Sequence, residues 1–428
     1  MPMRIQALAI TILSVLSISY VQAATESSCE GTHKYILIHG IGGSASSFKD
    51  MKGALEAQES CSEAYHFNYK TKDSSLIVND FSKELNQFIK DLPNSKNKKD
   101  ITLIMHSQGG LVGLNWLIQA HKNSEGFDKD QVERIKNYIS LSTPFLGSDF
   151  AMMGESVFFS LGLDSNIISP FGKRQLHNMK YGSSFYQGLI EFFTSKEGLK
   201  FQEFVRKNIK VLNISAMAPY KDYVFTKHVS QFFEGDLVVN TPSMKLNFLY
   251  ANWTDQKEAK HKRFSLGEFA HSYGTHMEAG PGDGIAEVPS ECKEISKCDH
   301  EGYLSMRQFL DQDQPINDES IGSNIRGFDL HIIATFPEEL KSLDEAEVTM
   351  QLSENISLSN YRLKGASQTP VNIIGNKAYF IIKGTIVSDR IQENATLVLD
   401  HPDLQETTTK VTVEKGTATF IKADFSNK

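Results

Sequence analysis

The hydrophobic pattern between residue 33 and about residue 145 alternates between two kinds of apolar segment. Continuous apolar runs such as HKYILI (33–38) and ITLIM (101–105) predict buried strands. Segments such as SSLIVNDFSKELNQFIKDL (74–92) and LVGLNWLIQA (111–120) carry apolar residues at helical spacing and predict helices. Strands that alternate with helices favour a mostly parallel sheet covered by helices on both faces. The pattern therefore predicts a doubly wound α/β fold.

Two later segments depart from that alternation. Residues 148–208 are rich in Phe and Met with polar residues interspersed, and one interpretation is a set of ordinary helices packed at the edge of the sheet. The polar, acidic stretch DQDQPINDESIGSN (311–324) is typical of a linker. Short alternating strands then recur from GFDLHIIATF (327–336) to TATFIKADF (417–425) without helical segments. They predict a C-terminal antiparallel β-sandwich over residues 320–428.

The first 23 residues have the pattern of a signal peptide. Arg4 precedes an apolar run, and the segment ends in the small-residue sequence VQA (21–23). A transmembrane anchor is the alternative, but the run is short and is interrupted by polar residues such as Thr11 and Ser14. We therefore expect a signal peptide at 1–23 and a secreted protein, or a periplasmic or extracellular one. An α/β domain is predicted at 24–315, with 148–208 as its insertion, and an accessory sandwich at 320–428.

Charge and cysteine content narrow the functional classes. The formal net charge of -8 gives no basic surface for nucleic acid, so we expect no nucleic-acid partner. An even number of cysteines in an exported chain predicts disulfides. Cys292 and Cys298 are most easily bridged locally, which leaves Cys29 to pair with Cys61. A zinc site is the alternative, but no Cys-x-x-Cys or neighbouring histidine pair supports it.

Ser107 lies between the predicted strand ITLIM and the predicted helix LVGLNWLIQA. This strand–turn–helix context is the one that places the serine of a G-x-S-x-G nucleophile elbow on a strained turn with its Oγ exposed. The local sequence is MHSQG (105–109), so the second glycine, Gly109, is present and the first is replaced by Met105. The alternative is a polar turn that happens to contain a serine.

The glycine-rich sequence HGIGG (39–43) directly follows the first predicted strand. Glycines at such a position let the backbone turn and approach a ligand closely. In α/β-hydrolases this loop and the residue after the nucleophile each supply one oxyanion-hole N–H, which here would be those of Ile41 and Gln108. A phosphate-binding loop is the rival interpretation, and it lacks the Gly-Lys-Ser/Thr ending that such loops require.

Three motifs together resemble the α/β-hydrolase family, and within it secreted bacterial-type lipases and esterases. ILIHGIGGSASSF (36–48) resembles the oxyanion loop, MHSQGG (105–110) the nucleophile elbow, and NYISLSTPFLGSDF (137–150) the next strand and turn. The resemblance covers roughly residues 33 to 310 and implies the α/β-hydrolase fold. It also implies that residues 148–208 form a lid-like insertion, which Phe and Met suit because their surface adapts to an acyl chain.

The acid of the catalytic triad is expected after the strand predicted at IKVLNISAMA (209–218). EGDLVV (234–239) resembles the Gly-Asp-x-Val-Val segment that carries the acid in many lipases, so Asp236 is our candidate. Asp283, in GPGDGIAEV (280–288), has a similar setting and is the alternative. A surface aspartate without a catalytic role is the remaining interpretation.

The histidine of the triad is expected after the last strand of the sheet, which we place at KLNFLYANW (245–253). His276, in GTHM (274–277), resembles the Gly-x-His-apolar ending common in this fold and keeps the chain order Ser, Asp, His. His300 stands directly before a predicted helix and beside the Cys292–Cys298 pair, and His271 is the third alternative.

These features predict a serine hydrolase that cleaves carboxylic esters of lipids, as a lipase, an esterase or a phospholipase. The chemistry uses Ser107, His276 and Asp236 and requires no metal or organic cofactor. The expected partners are a lipid or ester small molecule and a lipid surface. An acyltransferase or thioesterase on the same fold is one alternative, and a non-catalytic secreted binding protein is another.

Overall fold

The computed structural model describes residues 32–71, 73, 75–93, 99–152, 173–217, 235–236, 238–253, 259–273, 284–311, 325–340, 342–351, 353–358 and 367–426, with only the backbone at 271–273 and 367. Helices alternate with strands up to residue 217, and strands dominate after residue 325. The helices are α1 (Met51–Gln58), α2 (Val78–Asp91), α3 (Gln108–His121), α4 (Lys129–Val132), α5 (Lys173–Met179), α6 (Ser184–Phe193), α7 (Lys196–Asn208) and α8 (Glu301–Asp311), with short 3₁₀ helices at Ala45–Phe48, Thr241–Met244, Ser290–Lys293, Ile295–Lys297 and Leu343–Glu345.

The strands are numbered in chain order, and their lengths differ between the two halves of the chain. They are β1 (His33–Ile38), β2 (Ser62–Phe67), β3 (Ile101–His106), β4 (Ile135–Leu141), β5 (Lys210–Met217), β6 (Asn247–Trp253), β7 (Lys262–Ser265), β8 (Glu268–Tyr273), β9 (Gly327–Thr335), β10 (Glu347–Gln351), β11 (Ile356–Leu358), β12 (Ser367–Gln368), β13 (Asn372–Ile374), β14 (Lys377–Ile386), β15 (Gln392–His401), β16 (Leu404–Glu414) and β17 (Ala418–Asp424).

The first sheet has the order β2-β1-β3-β4-β5-β8, and all of its neighbouring strands are parallel. Strand β3 is buried along its whole length because helices cover both faces of the sheet. Helix α2 shows how the sequence achieves this cover, since Val78, Phe81, Leu85 and Ile89 recur at helical spacing and are fully buried. The predicted doubly wound, mostly parallel α/β sheet is therefore confirmed. Its carboxyl edge collects the residues that follow β1, β3 and β4.

The second region consists of two packed sheets. One has the order β11-β14-β9-β17-β6-β7, with β13 added beside β14, and the other has the order β12-β10-β15-β16. Inward-facing residues such as Leu330, Phe380, Leu397 and Val413 form the core between them. Most neighbouring pairs are antiparallel, whereas β17 is parallel to both β6 and β9.

Strand β6 corrects one prediction. KLNFLYANW was expected to be the last strand of the first sheet, but β6 belongs to the second region, where it pairs with β7 and β17. The last strand of the first sheet is β8, which pairs with β5. The prediction was wrong because the alternation of a strand indicates its buried face and not the sheet that it joins.

The β6–β7 hairpin also connects the two regions of the molecule. It precedes the predicted boundary at 315–320 in the chain, yet its sheet is completed by β9 and β17 from beyond that boundary. Helices α6 and α7 of the 148–208 insertion pack at the same junction. The Phe193 ring of α6 lies 4.4 Å from that of Phe264 on β7, and Phe193 and Phe201 are fully buried. Helices therefore occupy most of residues 173–208, and residues 153–172 of the lid-like insertion predicted at 148–208 lie outside the described residues.

The predicted local disulfide, Cys292–Cys298, is present. Cys61 is also disulfide-bonded, and Cys29, its predicted partner, lies outside the described residues. Among the described helices, none combines the length and the apolar character needed to cross a bilayer.

Candidate active site

Ser107 occupies the sharp turn between β3 and α3. Its backbone angles are φ 51° and ψ -125°, a conformation that costs a non-glycine residue free energy and that clusters at functional sites. Two backbone hydrogen bonds hold the turn: the Ser107 N–H donates to the Leu141 carbonyl at 2.9 Å, and the Gly110 N–H donates to the Ser107 carbonyl at 3.0 Å. The predicted nucleophile is thus on a strained strand-to-helix turn at the carboxyl edge of the sheet.

Glycines are required around this turn because neighbouring chain segments come very close. A Cβ on Gly109 would lie 2.4 Å from the Ile38 carbonyl oxygen, and one on Gly110 would lie 1.9 Å from Thr143 Oγ1. Across the turn, a Cβ on Gly40 would lie 3.3 Å from Ser107 Oγ. The glycines of HGIGG and SQGG therefore bring the first loop into contact with the serine.

Met105 occupies the position where the elbow motif has its first glycine, and its side chain is fully buried. Space for it is provided by Gly113 on α3, because a Cβ at that glycine would lie 2.2 Å from Met105 Sδ. The small residue that allows close packing is therefore on the helix and not on the strand. Sequence reasoning missed this exchange, although a glycine within a helix is a signal, since it costs about 1 kcal/mol relative to alanine.

The candidate oxyanion donors are the backbone N–H groups of Ile41 and Gln108. Gln108 follows the serine directly, and Ile41 follows Gly40, where an added Cβ would lie 3.3 Å from Ser107 Oγ. Within the described ranges of the chain, neither N–H donates to another protein atom. An oxyanion hole requires N–H groups that are not already bonded to the protein, and these two meet that condition.

A tyrosine that sequence reasoning missed braces this loop. The buried Tyr69 hydroxyl donates to the His39 carbonyl at 2.7 Å and lies 3.4 Å from Gln108 Oε1. The His39 ring stacks on Tyr69 with 4.5 Å between ring centroids, and burial lowers the pKa of His39, which favours the neutral ring. Tyr69 thus links the loop before Ile41 to the side chain of Gln108.

Asp236 lies in a buried turn near the same edge of the sheet. Its Oδ1 accepts hydrogen bonds from the Val239 N–H at 2.8 Å and the Val238 N–H at 3.0 Å. Burial raises the pKa of Asp236 to about 6, against the opposing effects of these two N–H groups, of His106 and of the Ser142 hydroxyl. Because His106 adjoins the serine and Ser142 follows β4, the structure brings Asp236 to the edge that carries Ser107.

The structure describes the three candidate histidines to different extents. His276 lies outside the described residues, in the segment that follows β8, and Asp283 lies there too. His271 is on β8, where only the backbone is described. His300 is buried with both ring nitrogens engaged: Nε2 lies 3.0 Å from the Gly284 carbonyl oxygen, and Nδ1 accepts from the Tyr303 N–H at 3.0 Å. His300 therefore caps α8.

In the part of the chain that the structure describes, His, Cys, Asp and Glu side chains form no group of three or more that could hold a metal ion. The geometry around Ser107 supplies instead a hydroxyl, open N–H groups and a nearby buried carboxylate. These groups suit acyl transfer through a serine nucleophile.

Known proteins resemble this chain in sequence over one part and in fold over most of its length. The family model described as "Putative serine esterase (DUF676)" matches residues 28–174, and no curated protein matches the chain. Phospholipase PlaB from Legionella pneumophila in complex with thio-NAD has a TM-score of 0.66 and 12% identity, with 92% of this chain and 93% of that chain covered.

A second structure of Legionella pneumophila PlaB has a TM-score of 0.64 and 14% identity, with the same coverage of 92% and 93%. Bacillus licheniformis lipase BlEst2 in its propeptide form has a TM-score of only 0.38 at 13% identity, covering 90% of this chain and 75% of that chain, too low to support an inference. The chain therefore has the α/β-hydrolase fold, and its residues 28–174 resemble putative serine esterases.

Proposed function

We propose that this protein hydrolyses carboxylic esters of lipids through an acyl-enzyme formed on Ser107. The observation that carries the proposal is the strained backbone of Ser107 at the β3–α3 junction. Backbone strain at Ser107 is costly for folding and useful for acyl transfer, and the close approach of Gly40 and the two N–H groups without a protein acceptor among the described residues support the same role.

The proposed reaction has two halves. Ser107 Oγ attacks the ester carbonyl while His276 takes the hydroxyl proton, and the developing oxyanion accepts from the N–H groups of Ile41 and Gln108. The C–O bond then breaks, and His276 returns the proton to the leaving alcohol. A water molecule, deprotonated by the same histidine, hydrolyses the acyl-enzyme and restores Ser107.

We propose His276 as the base, with Asp236 as the group that orients it. Topology supports this choice, since Asp236 follows β5 and His276 follows β8, the next strand of the first sheet. The capping role of His300 argues against it as the base, because an imidazole that accepts from the backbone of its own helix has one nitrogen occupied. Asp236 would hold the imidazole in the tautomer that accepts the serine proton.

The proposed substrates are lipid esters, with phospholipids first among the classes to test. The fold shared with a protein described as a phospholipase covers both regions of the molecule, which is why that class comes first. We also propose that residues 1–23 are removed as a signal peptide and that the mature protein is secreted or periplasmic. The Cys292–Cys298 disulfide supports an oxidising compartment.

Hydrolysis by purified protein of residues 24–428 tests the proposal. We expect release of fatty acid from phospholipid vesicles or from monomeric nitrophenyl esters, and loss of that activity in Ser107→Ala. Ser290→Ala is the matched control, because Ser290 is an exposed serine of a 3₁₀ helix outside the site and should leave the rate unchanged. Full activity in a folded Ser107→Ala protein would contradict the proposal.

A further inference from the structure

A second group of buried polar side chains lies where the two regions of the molecule meet. We call Asp149, Tyr181, Asn240, Asp329 and Lys383 the junction cluster, and all five are buried. Lys383 on β14 forms an ion pair with Asp149 and donates to the Tyr181 hydroxyl at 3.0 Å. Asp149 lies in the segment that follows β4. Its Nζ also lies 4.0 Å from Asp329 on β9.

Asn240 connects this cluster to the turn that carries Asp236. Its Nδ2 donates to Asp329 Oδ2 at 2.6 Å, and its Oδ1 accepts from the Tyr181 hydroxyl at 2.9 Å. Asn240 closes the turn by pairing with Gly235, while the Asp236 N–H donates to the Val239 carbonyl at 3.2 Å. One end of the turn therefore bears the candidate acid, and the other end is bonded to a strand of the second region.

The turn is also held from the side of the first sheet. The Ser148 hydroxyl donates to the Val238 carbonyl at 2.7 Å, and Ser148 directly precedes Asp149 of the junction cluster. Both chain segments that flank the site after β4 and β5 are thus tied to Lys383 and Asp329. These two residues lie on β14 and β9, remote in sequence from Ser107.

Buried charges add little to the stability of a fold, because the free-energy cost of desolvating them offsets much of their attraction. Burial raises the pKa of Asp329, which shows how costly its ionised form is, and the charge of Lys383 opposes that rise. His331, next to Asp329 in space, is kept neutral because burial lowers its pKa, so it supplies no second cation. The directional hydrogen bonds of Asn240 instead fix the geometry of the turn that carries Asp236.

We propose that Asn240, Asp329 and Lys383 are positioning residues that set Asp236 for catalysis, so that the second region completes the active site. This inference rests on the proposed function, since it assigns a role toward the reaction at Ser107. The hydrogen bond between Asn240 and Asp329 fixes the position of the Asp236 carboxylate, and this effect is separate from any contribution to the stability of the fold.

Exchanging the side chains of Asn240 and Asp329 tests the proposal. Asn240→Asp places two carboxyl groups together and should lower kcat by about 10-fold to 100-fold with KM little changed, since a misplacement of about 1 Å has costs of that size. The double variant Asn240→Asp, Asp329→Asn restores an amide opposite a carboxylate and should recover most of kcat. Lys377→Gln is the control, because Lys377 pairs with Glu191 at the exposed edge of the same junction.

Titration of Ser107 with a fluorophosphonate separates positioning from unfolding. A positioning role lowers kcat per labelled site while the labelled fraction stays at the wild-type level, whereas partial unfolding lowers the labelled fraction. Wild-type kcat per site in folded Asn240→Asp would overturn the proposal, as would failure of the double variant to recover any activity.

If Asn240→Asp alone does not fold, Asp329→Asn is used in its place. It should reduce kcat per labelled site several-fold, and an unchanged value would overturn the proposal. A wild-type protein that hydrolyses no ester and takes up no label would instead contradict the proposed function itself. The two failures are therefore distinguishable.

Discussion

The turn that carries Ser107 and the turn that carries Asp236 are built in different ways. The serine turn is held by contacts within one stretch of chain, from Ile38 to Thr143, all of it in the first sheet and its loops. The aspartate turn is held by Asn240, which bonds to Tyr181 and Asp329. One half of the proposed site is therefore local, and the other depends on strands that come much later in the chain.

This difference separates two sources of precision in one site. Steric exclusion around glycines fixes the nucleophile, because no other residue fits at Gly109 or Gly110. Directional polar bonds fix the acid, and they require that the second region be folded. The serine turn should therefore tolerate changes in the second region, while the geometry of the acid should not.

Deleting residues 325–428 should have the largest effect. The deletion removes β17, the parallel partner of β6, together with Asp329 and Lys383, and leaves an uncovered strand edge. We expect a fragment of residues 24–324 that either fails to fold or lacks measurable ester hydrolysis. Circular dichroism and the hydrolysis assay, with residues 24–428 as control, check this. A soluble fragment with the wild-type rate would show that the aspartate turn does not need the second region.

Asp236→Asn should reduce kcat by roughly ten-thousand-fold, the size of effect known for this change in another serine hydrolase triad. In the wild type, activity should also fall as the pH drops below about 6, because Asp236 takes up a proton there. Protonation of His276 acts in the same direction, so the variant is needed to assign the acid. A kcat within tenfold of wild type would move the acid elsewhere, with Asp283 the next candidate.

The same variant should be more stable than the wild type at high pH. The pKa of Asp236 is raised from 3.8 to about 6 in the folded state, so folding loses free energy as the pH rises through that window. Asparagine removes the loss, which amounts to about 3 kcal/mol at most. Urea unfolding at pH 8 and at pH 4 should show a gain that is present at pH 8 and absent at pH 4. Lower stability of the variant at pH 8 would contradict this account.

Sequence reasoning predicted the local half of the site and had less success with the remote half. The elbow around Ser107 and the glycine loop could be predicted because their spacing encodes their geometry. Asp236 was selected by its motif, but nothing in that motif indicates that Asn240 meets Asp329. Strand β6 was assigned to the wrong sheet for a related reason, because the sequence of one strand does not identify the strands with which it pairs.

Gly113→Ala should test whether packing within the serine turn is as tight as it looks. Overpacking against Met105 should cost about 1–3 kcal/mol, partly offset by the better helix propensity of alanine. Adding Met105→Ala relieves the overpacking but opens a cavity, so the double variant should lose roughly 2–5 kcal/mol in total, the cost of a buried Met→Ala change. Gly188→Ala in α6, where a Cβ would meet nothing within 4 Å, is the control and should stabilise the protein. Urea unfolding measures all three variants, and equal effects at Gly113 and Gly188 would reject the packing account.

Tyr69→Phe should have the smallest effect. It removes the hydrogen bond to the His39 carbonyl while keeping the stacked ring, a loss of about 1 kcal/mol. If that bond orders the loop of Ile41, kcat should fall about fivefold. Tyr65→Phe on β2, which loses only an exposed bond to Glu63, should leave kcat unchanged. Identical rates for both variants would mean that Tyr69 does not brace the oxyanion loop.

Labelling with a fluorophosphonate, followed by peptide mapping, tests the central claim most directly. Folded protein should carry a single adduct on Ser107, and the adduct should be absent after unfolding in urea and in Ser107→Ala. This result is expected because only the folded turn combines the strained serine with open N–H groups. An active protein whose adduct lies on another serine, or that carries none, would contradict Ser107 as the nucleophile.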